Sequence, residues 1–300
     1  MNKKTVIVLA GPTASGKSEM GLALHKLFPE IEIVNGDPFQ CYKELELPTC
    51  APSETDKLQA PHHLYSFLPV TQAYDIHAYQ KDARETIDKL LSENKIPLLI
   101  SGSGLYLRSA LYSYNFLLEE EDKPDDLDTK SDEELFKLLE EIDPEESKKL
   151  HPNNRVRVLR AIRFYHYHHI SKTDYLKNNK AEPIYDIIGL YVTRDRDELY
   201  RRADLRVDKL FDENLPDYVF NLFEKYGTEC PAFKAIGVKE FIPWYKGERS
   251  LEEVKNNIKL NTRHYIKRQE TFFRHQFNFQ SIHNLEEAVK YLRGTKISEK

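Results

Sequence analysis

A complete phosphate-binding loop lies near the start of the chain. Residues 11–18 read Gly-Pro-Thr-Ala-Ser-Gly-Lys-Ser and match the G-x-x-x-x-G-K-[ST] pattern in full. Its glycines let successive backbone N–H groups point inward around an anion, and the helix that begins near Lys17 adds its positive end. Lys17 supplies a full charge, and the Ser18 hydroxyl is a candidate ligand for Mg²⁺. The pattern predicts a bound phosphorylated molecule, either a nucleotide or another diphosphate. The predicted phosphate-binding residues are Gly11, Pro12, Thr13, Ala14, Ser15, Gly16, Lys17 and Ser18.

A carboxylate and a second glycine-rich turn follow two other apolar runs. Asp37 comes just after Ile31–Val34, and Gly102-Ser103-Gly104 comes just after Pro97–Ile100. The carboxyl ends of parallel strands meet at one edge of a sheet, so we expect these groups to face one crevice with the phosphate loop. By residue type alone, such an aspartate is more often a helix cap or a Mg²⁺ ligand than a general base.

The elements that must position these groups form an alternating pattern. Helical patterns lie at Lys17–Leu27 and Ile76–Asn94, between apolar runs that are typical of buried parallel strands. This alternation predicts an α/β fold, a P-loop NTPase-like parallel sheet flanked by helices. The four predicted strands are Thr5–Ala10, Ile31–Val34, Pro97–Ile100 and Ile187–Val192.

A long stretch between the third and fourth strands is too long for one crossover connection. It has helical patterns at Glu133–Ile142 and Arg155–His168. We therefore expect residues 115–182 to form a helical insertion domain, and residues 1–114 with 183–300 to form the catalytic core. Everything after the fourth strand is expected to be helical. The patterns there lie at Asp197–Asp212, Pro216–Tyr226, Leu251–Phe277 and Leu285–Leu292.

The composition is that of a globular protein, with 40% hydrophobic and 31% charged residues among 300. Its three cysteines form no disulfide or metal-binding pattern and indicate a reducing compartment. No apolar run approaches the roughly 18–20 residues of a membrane span, so we expect a cytoplasmic protein. The net charge of −5 neither indicates nor excludes nucleic-acid binding, because residues 118–147 are densely acidic and 255–274 are basic.

Seven short motifs occur in an order that is specific to one family. They are GPTASGKS, NGDPFQCYKELEL, PHHL, SGSGLYLRSALY, HPNNRVRVLRAI, AIGVKEF and NTRHYIKRQETFFR. Through these motifs the chain resembles the bacterial tRNA dimethylallyltransferases over residues 5–280. These enzymes transfer a dimethylallyl group from dimethylallyl diphosphate to N6 of adenosine 37 in tRNA.

The resemblance implies a role for each part of the crevice. The phosphate loop would hold the diphosphate of the prenyl donor with Mg²⁺ rather than a nucleotide, and Ser18 would be the protein ligand of the metal. Asp37 matches the general base, and Ser103 matches a threonine near the acceptor base. Arg196 resembles a second cationic group on the diphosphate, with Arg202 as its neighbouring alternative. The implied catalytic residues are Asp37, Lys17, Ser103 and Arg196.

The resemblance implies that the protein is a monomer and that its partner is the anticodon stem-loop of tRNA. A target base in such a loop must leave its stack, and phosphate and stacking contacts hold it. Lys255, Lys259, Arg263 and Lys267 recur every four residues and form a basic stripe, although a solvated stripe alone explains that spacing. The implied tRNA contacts are Asp37, Pro38, Phe39, Gln40, Ser103, Val156, Arg157, Val158, Leu159, Arg160, Lys234, Gly237, Lys239, Lys259 and Arg263.

Some positions depart from the family pattern, and three other functions stay open. Pro38, Arg163 and Val238 stand where serine, glutamate and tyrosine are usual, and LPTCAPS lacks the usual glycine and lysine. These departures put the choice of tRNA in question. The alternatives are an adenylate isopentenyltransferase that acts on free AMP, ADP or ATP, a P-loop small-molecule kinase, and a non-enzymatic RNA-binding module. The intact Gly16-Lys17-Ser18 and Asp37 argue against the last.

Overall fold

A computed structural model describes residues 4–113, 126–179 and 181–295. They divide between two compact units, one of Met1–Tyr112 with Pro183–Lys300 and one of Ser113–Glu182. In chain order the elements are β1 (Thr5–Ala10), α1 (Lys17–Leu27), β2 (Ile31–Asn35), α2 (Glu46–Thr49), α3 (Glu54–Gln59), β3 (His62–His63), α4 (Ile76–Ser92), β4 (Ile96–Ser101), α5 (Gly104–Leu111), α6 (Asp132–Ile142), α7 (Pro144–Ser147), α8 (Arg155–His168), α9 (Lys172–Asn178), β5 (Asp186–Val192), α10 (Arg196–Asp212), α11 (Leu215–Tyr226), α12 (Ile242–Tyr245), α13 (Leu251–Gln276), β6 (Gln280–Ile282) and α14 (Leu285–Arg293).

The first unit is built on a parallel sheet of six strands in the order β3-β2-β4-β1-β5-β6. The central strand β1 pairs with β4 on one side and with β5 on the other. All six residues of β1 are buried, because helices cover both faces of the sheet, as its continuous apolar run predicts. The α/β fold and the four predicted strands are confirmed.

Residues of β1 alternate between two apolar cores. Ile7 and Leu9 pack on one face of the sheet with Leu24 of α1 and Leu292 of α14. Val6 and Val8 pack on the other face, among side chains of α4 and α5. A further core includes Val207 of α10, Phe223 of α11 and Ile258 of α13. These cores hold the carboxyl edge of the sheet and the helices that face it in fixed positions.

The expectation that only helices follow the fourth predicted strand is wrong at one place. β6 covers three residues and pairs in parallel with β5, with Leu190 opposite Gln280. The other unpredicted strand, β3, is two residues long and pairs with β2. Both lie at the edges of the sheet, where a short, partly polar segment forms ladder hydrogen bonds without the apolar run that marks a central strand.

The second unit has its own small core. Leu135 and Leu139 of α6 pack against Val158, Leu159 and other buried residues of α8. Val158 and Leu159 were predicted to contact tRNA, but their side chains are 1% and 8% exposed and fill this core. Their neighbours on α8, namely Val156, Arg157 and Arg160, are exposed. We therefore keep the predicted tRNA contact only for Val156, Arg157 and Arg160.

Candidate active site

The phosphate loop connects β1 to α1 and adopts backbone angles that require glycine. Gly16, at the start of α1, has φ 95°, a left-handed conformation that residues with a Cβ rarely adopt. Gly11 lies against β5, and a Cβ there would approach the Val192 carbonyl oxygen to 2.8 Å. Within the loop, the Lys17 ammonium donates to the Pro12 carbonyl oxygen at 2.7 Å. The loop is thus folded around its own lysine, with the first-turn amides of α1 facing outward.

Two arginines hold the loop from its outer side. Arg194 donates from Nε to the Ser15 carbonyl oxygen at 2.7 Å, and Arg202 donates from Nε to the Ala14 carbonyl oxygen at 2.8 Å. Arg196, the predicted cationic group, is exposed and instead pairs with Glu270 at 2.8 Å. The reason is helical phase: Arg196 and Arg202 are six residues apart on α10 and point in different directions. The geometry therefore places Arg202 and Arg194, rather than Arg196, at the loop.

This difference predicts distinct effects of two arginine substitutions. Arg202→Gln removes a charged hydrogen bond to the loop, and such bonds contribute about 1.5–3 kcal/mol. We expect it to weaken the binding of inorganic diphosphate at least about tenfold. Arg196→Gln, the matched control on the same helix, is expected to leave binding unchanged when both variants are titrated by calorimetry. Equal losses in the two variants would contradict this assignment.

Asp37 is held in place by the end of β2. Its backbone N–H donates to the Asn35 side-chain oxygen at 2.8 Å, and the Asn35 side-chain amide donates back to the Asp37 carbonyl oxygen at 2.9 Å. One carboxylate oxygen accepts a hydrogen bond from the Phe39 N–H at 2.9 Å. The Gln40 backbone N–H also interacts with this carboxylate. The backbone thus aims a fixed carboxylate at the crevice.

Asp37 and Lys17 influence each other through a poorly solvated crevice. Burial raises the pKa of the Asp37 carboxyl, while backbone N–H groups and the charges of Lys17 and Arg206 oppose that rise. Burial and the nearby Arg206 guanidinium lower the pKa of Lys17 to about 7, although Asp37 acts in the opposite direction. The site therefore holds a carboxylate of increased basicity beside a lysine that titrates near neutral pH.

A cavity of about 270 Å³ opens beside Asp37. Asp37 is the one acidic residue among its lining residues, which are otherwise apolar, uncharged polar or basic. Arg206, whose guanidinium donates to the Thr49 carbonyl oxygen at 3.0 Å, was missed by the sequence analysis. The lining comprises Thr13, Asp37, Phe39, Pro48, Thr49, Ala203, Arg206, Val207, Leu210, Lys234, Ala235, Ile236, Gly237, Lys239, Ile258, Thr262, Tyr265 and Arg268. Such a cavity suits an apolar group and an anion together.

The turn that carries Ser103 is bound to the Asp37 turn. The Ser101 hydroxyl donates to the Gly36 carbonyl oxygen at 2.6 Å and accepts from the Ser103 N–H at 2.9 Å. Ser103 is half-buried at the start of α5, and its side chain does not cap that helix. The structure therefore brings the predicted acceptor-side groups, Asp37 and Ser103, onto adjoining turns at the carboxyl edge of the sheet.

The predicted tRNA contacts fall into groups with different surroundings. Phe39, Lys234, Gly237 and Lys239 line the cavity. The Gln40 side-chain amide instead donates to the carbonyl oxygens of Thr49 and Cys50. It therefore supports the fold of the cavity wall.

The basic stripe of α13 is paired with acids of α10. Lys255 and Lys259 both contact Asp208, at 2.8 and 2.7 Å, and Arg263 pairs with Asp204. The two acids are four residues apart and so match the spacing of the cations. These side chains join two helices of the first unit.

We expect Lys259→Gln with Arg263→Gln to act on stability more than on RNA binding. Partly exposed ion pairs contribute up to about 1 kcal/mol each, so the unfolding free energy falls by roughly that amount per pair. The salt dependence of tRNA binding is expected to stay unchanged, and Lys267→Gln on the same helix is the matched control. A slope of log Kd against log salt that falls by about one per cation removed would show instead that both contact phosphates.

Ser18 is the residue of the phosphate loop that would hold Mg²⁺. Ser18 is exposed in the first turn of α1, next to the loop amides. Among residues 4–113, 126–179 and 181–295, no group of three His, Cys, Asp or Glu side chains could hold a metal. A single hydroxyl suits Mg²⁺, which keeps its waters and binds mainly through substrate phosphates.

These features define the class of protein. An α/β sheet with a phosphate loop after its central strand, and a basic, partly apolar cavity around one carboxylate, is the site of a group-transfer enzyme that uses a phosphorylated donor. A family model described as IPP transferase matches residues 40–276. The chain therefore belongs to the IPP transferase family.

Individual relatives are similar over nearly their whole length. The chain is 36% identical to a tRNA dimethylallyltransferase of Anoxybacillus flavithermus, covering 97% of this chain and 94% of the relative. It is 34% identical to that of Bacillus subtilis, covering 91% and 89%. A solved tRNA delta(2)-isopentenylpyrophosphate transferase of Staphylococcus epidermidis is 30% identical, covers 97% of this chain and 98% of its own, and superposes with a TM-score of 0.71.

Proposed function

We propose that the protein transfers the dimethylallyl group of dimethylallyl diphosphate to N6 of adenosine 37 in the anticodon loop of tRNA. The names of the relatives support tRNA as the acceptor class. The observation that carries the proposal is the cavity that contains Asp37 and Thr13 of the phosphate loop, with basic and apolar walls. Free AMP, ADP or ATP is the less favoured acceptor because the relatives are named for tRNA.

The donor side of the reaction requires stabilisation of the negative charge on the leaving diphosphate. Departure of diphosphate from an allylic carbon leaves a stabilised cation, so the protein must chiefly stabilise the departing anion. The first-turn amides of α1 and the side chains of Lys17, Arg202 and Arg206 supply that stabilisation. Ser18 would hold Mg²⁺, which would supply charge neutralisation. The apolar residues of the cavity wall, such as Val207 and Ile258, suit the prenyl chain.

The acceptor side needs a base because the exocyclic amine of adenine is a poor nucleophile. The N6–carbon bond forms as the carbon–oxygen bond to diphosphate breaks, and the proton of the amine passes to the Asp37 carboxylate. The adenine must leave its stack to reach the cavity. We propose that the adenine and its flanking phosphates contact Phe39, Lys234 and Lys239. The stem-loop is proposed to contact Arg157 and Arg160 of the second unit.

The proposal extends to where the protein works. No helix in the described ranges is long and apolar enough to cross a membrane. We propose a cytoplasmic monomer that meets its tRNA there. The direct test is digestion of anticodon stem-loop RNA after incubation with the protein, dimethylallyl diphosphate and Mg²⁺, followed by mass spectrometry of the nucleosides. N6-dimethylallyladenosine from position 37 is expected; unmodified nucleosides with the donor intact would reject the proposal.

A further inference from the structure

Gln269 of α13 links two loops that are distant in sequence. Its side chain is 4% exposed. The side-chain oxygen accepts from the Thr13 N–H at 2.9 Å, and the side-chain amide donates to the Gly102 carbonyl oxygen at 3.0 Å. A Cβ at position 102 would overlap that amide, so glycine is needed there. One buried side chain therefore joins the phosphate loop to the turn before α5.

The bond to Thr13 fixes a particular peptide of the phosphate loop. The Pro12 carbonyl oxygen and the Thr13 N–H belong to the same peptide group. Lys17 holds the oxygen at 2.7 Å and Gln269 holds the N–H at 2.9 Å. This peptide is therefore held by a side chain on each side. Its N–H is directed to Gln269, and its carbonyl oxygen also accepts from the Ser15 N–H at 3.3 Å.

The bond to Gly102 continues to the turn that carries Asp37. Ser101, next to Gly102, donates its hydroxyl to the Gly36 carbonyl oxygen at 2.6 Å. Gly36 donates its N–H to the Ile100 carbonyl oxygen at 2.9 Å and immediately precedes Asp37. Hydrogen bonds and chain neighbours thus connect the phosphate loop with the proposed base through Gln269, Ser101 and Gly36.

We propose that Gln269 is a positioning residue that sets the phosphate loop and the Asp37 turn at the separation the transfer needs. The inference rests on the proposed function, since that function makes the first loop the donor site and Asp37 the base. Only a side chain with one acceptor and one donor at its end can make both bonds. Glutamate makes both only when protonated, and leucine makes neither.

This requirement gives a pH-dependent test. We compare Gln269→Glu and Gln269→Leu with wild type from ~pH 5.5 to ~pH 8.5, a range chosen because burial raises carboxyl pKa values. Gln276→Glu, an exposed position on the same helix, is the matched control. Calorimetry measures inorganic diphosphate binding, and a transfer assay measures kcat and KM. Every value is divided by that of wild type at the same pH.

We expect Gln269→Glu to be defective at high pH and to recover as the pH falls. The ionised carboxylate repels the Gly102 carbonyl oxygen and the bound anion, so kcat falls by about 10–100-fold, as misplacement of reacting groups predicts. Protonation of the glutamate restores a hydrogen-bond donor, so the kcat of the variant divided by that of wild type rises towards one. Gln269→Leu is expected to be defective at every pH. Tyr265 hydrogen-bonds Gln269 and interacts with Asp37, Tyr106 and Arg268. Lys17 and Arg206 in turn interact with Asp37, and division by wild type removes the common effect of these titratable groups.

Two results would overturn the inference. The first is that kcat of Gln269→Glu, divided by that of wild type, does not change with pH. The second is that Gln269→Leu has the kcat and the diphosphate affinity of wild type. If Gln269→Leu fails to fold, the recovery of Gln269→Glu at low pH still tests the claim. Diphosphate binding needs no transfer, so a wild-type protein that binds diphosphate without modifying tRNA refutes the proposed function separately.

Discussion

Asp37→Asn is expected to lower the transfer rate by about 10²–10⁴-fold, the contribution of a general base. The asparagine keeps the size of the side chain and the hydrogen bond from the Phe39 N–H, but it cannot take a proton from the adenine amine. Donor affinity is expected to change little, because the proposed diphosphate site is the phosphate loop rather than the Asp37 turn. Single-turnover kinetics with saturating tRNA separates the two effects.

The same residue sets the acid side of the pH profile. Burial raises the pKa of Asp37, and only the ionised form can accept the proton. The rate is therefore expected to fall as pH falls through that raised pKa, and Asp37→Asn is expected to lack this fall. Asp75→Asn, an exposed helix cap on α4, is the control with the same chemical change. Full activity in Asp37→Asn would remove Asp37 from the role of base.

Lys17→Met is expected to weaken donor binding and turnover together. The ammonium donates to the Pro12 carbonyl oxygen and supplies a charge at the diphosphate site. Removing an oxyanion-stabilising group of this kind costs about 10²–10³ in kcat. Lys26→Met, on the exposed end of α1, is the matched control. A variant that kept its rate and lost only donor affinity would show that Lys17 binds the ground state and the transition state equally.

Lys17 also makes donor binding depend on pH. With a pKa of about 7 in the free protein, a growing fraction of the lysine is neutral as the pH rises above that value. An anionic donor favours the charged form, so binding above neutral pH takes up a proton and weakens as pH increases. Calorimetry in two buffers with different ionisation enthalpies measures this uptake. Lys17→Met is expected to lose it.

The sequence predicts best those features whose signal is local. The phosphate loop is a contiguous pattern, and β1, β2 and β4 are runs buried on both faces, so these features could be predicted from neighbouring residues. β5 is also an apolar run, although of its residues only Leu190 and Val192 are buried. The edge strands β3 and β6 have no such run. Their pairing depends on the sheet that is already formed beside them.

The site is less predictable because it depends on contacts across the chain. Arg196 and Arg202 have the same charge, and their roles differ only through the orientation of α10 relative to the loop. Gln269 lies 256 residues from its partner Thr13, so no spacing rule connects the two. The pairing of Lys259 and Arg263 could in principle be predicted, since Asp208 and Asp204 of α10 repeat the four-residue spacing of these cations.

Transfer of labelled dimethylallyl groups to three acceptors tests the central claim most directly. The acceptors are an anticodon stem-loop with adenosines at positions 36, 37 and 38, the same loop with guanosine at position 37, and free AMP. Label on the first acceptor alone is the predicted result. Label on AMP, or no label on any acceptor with phosphorylation or ATP hydrolysis in its place, would contradict the account.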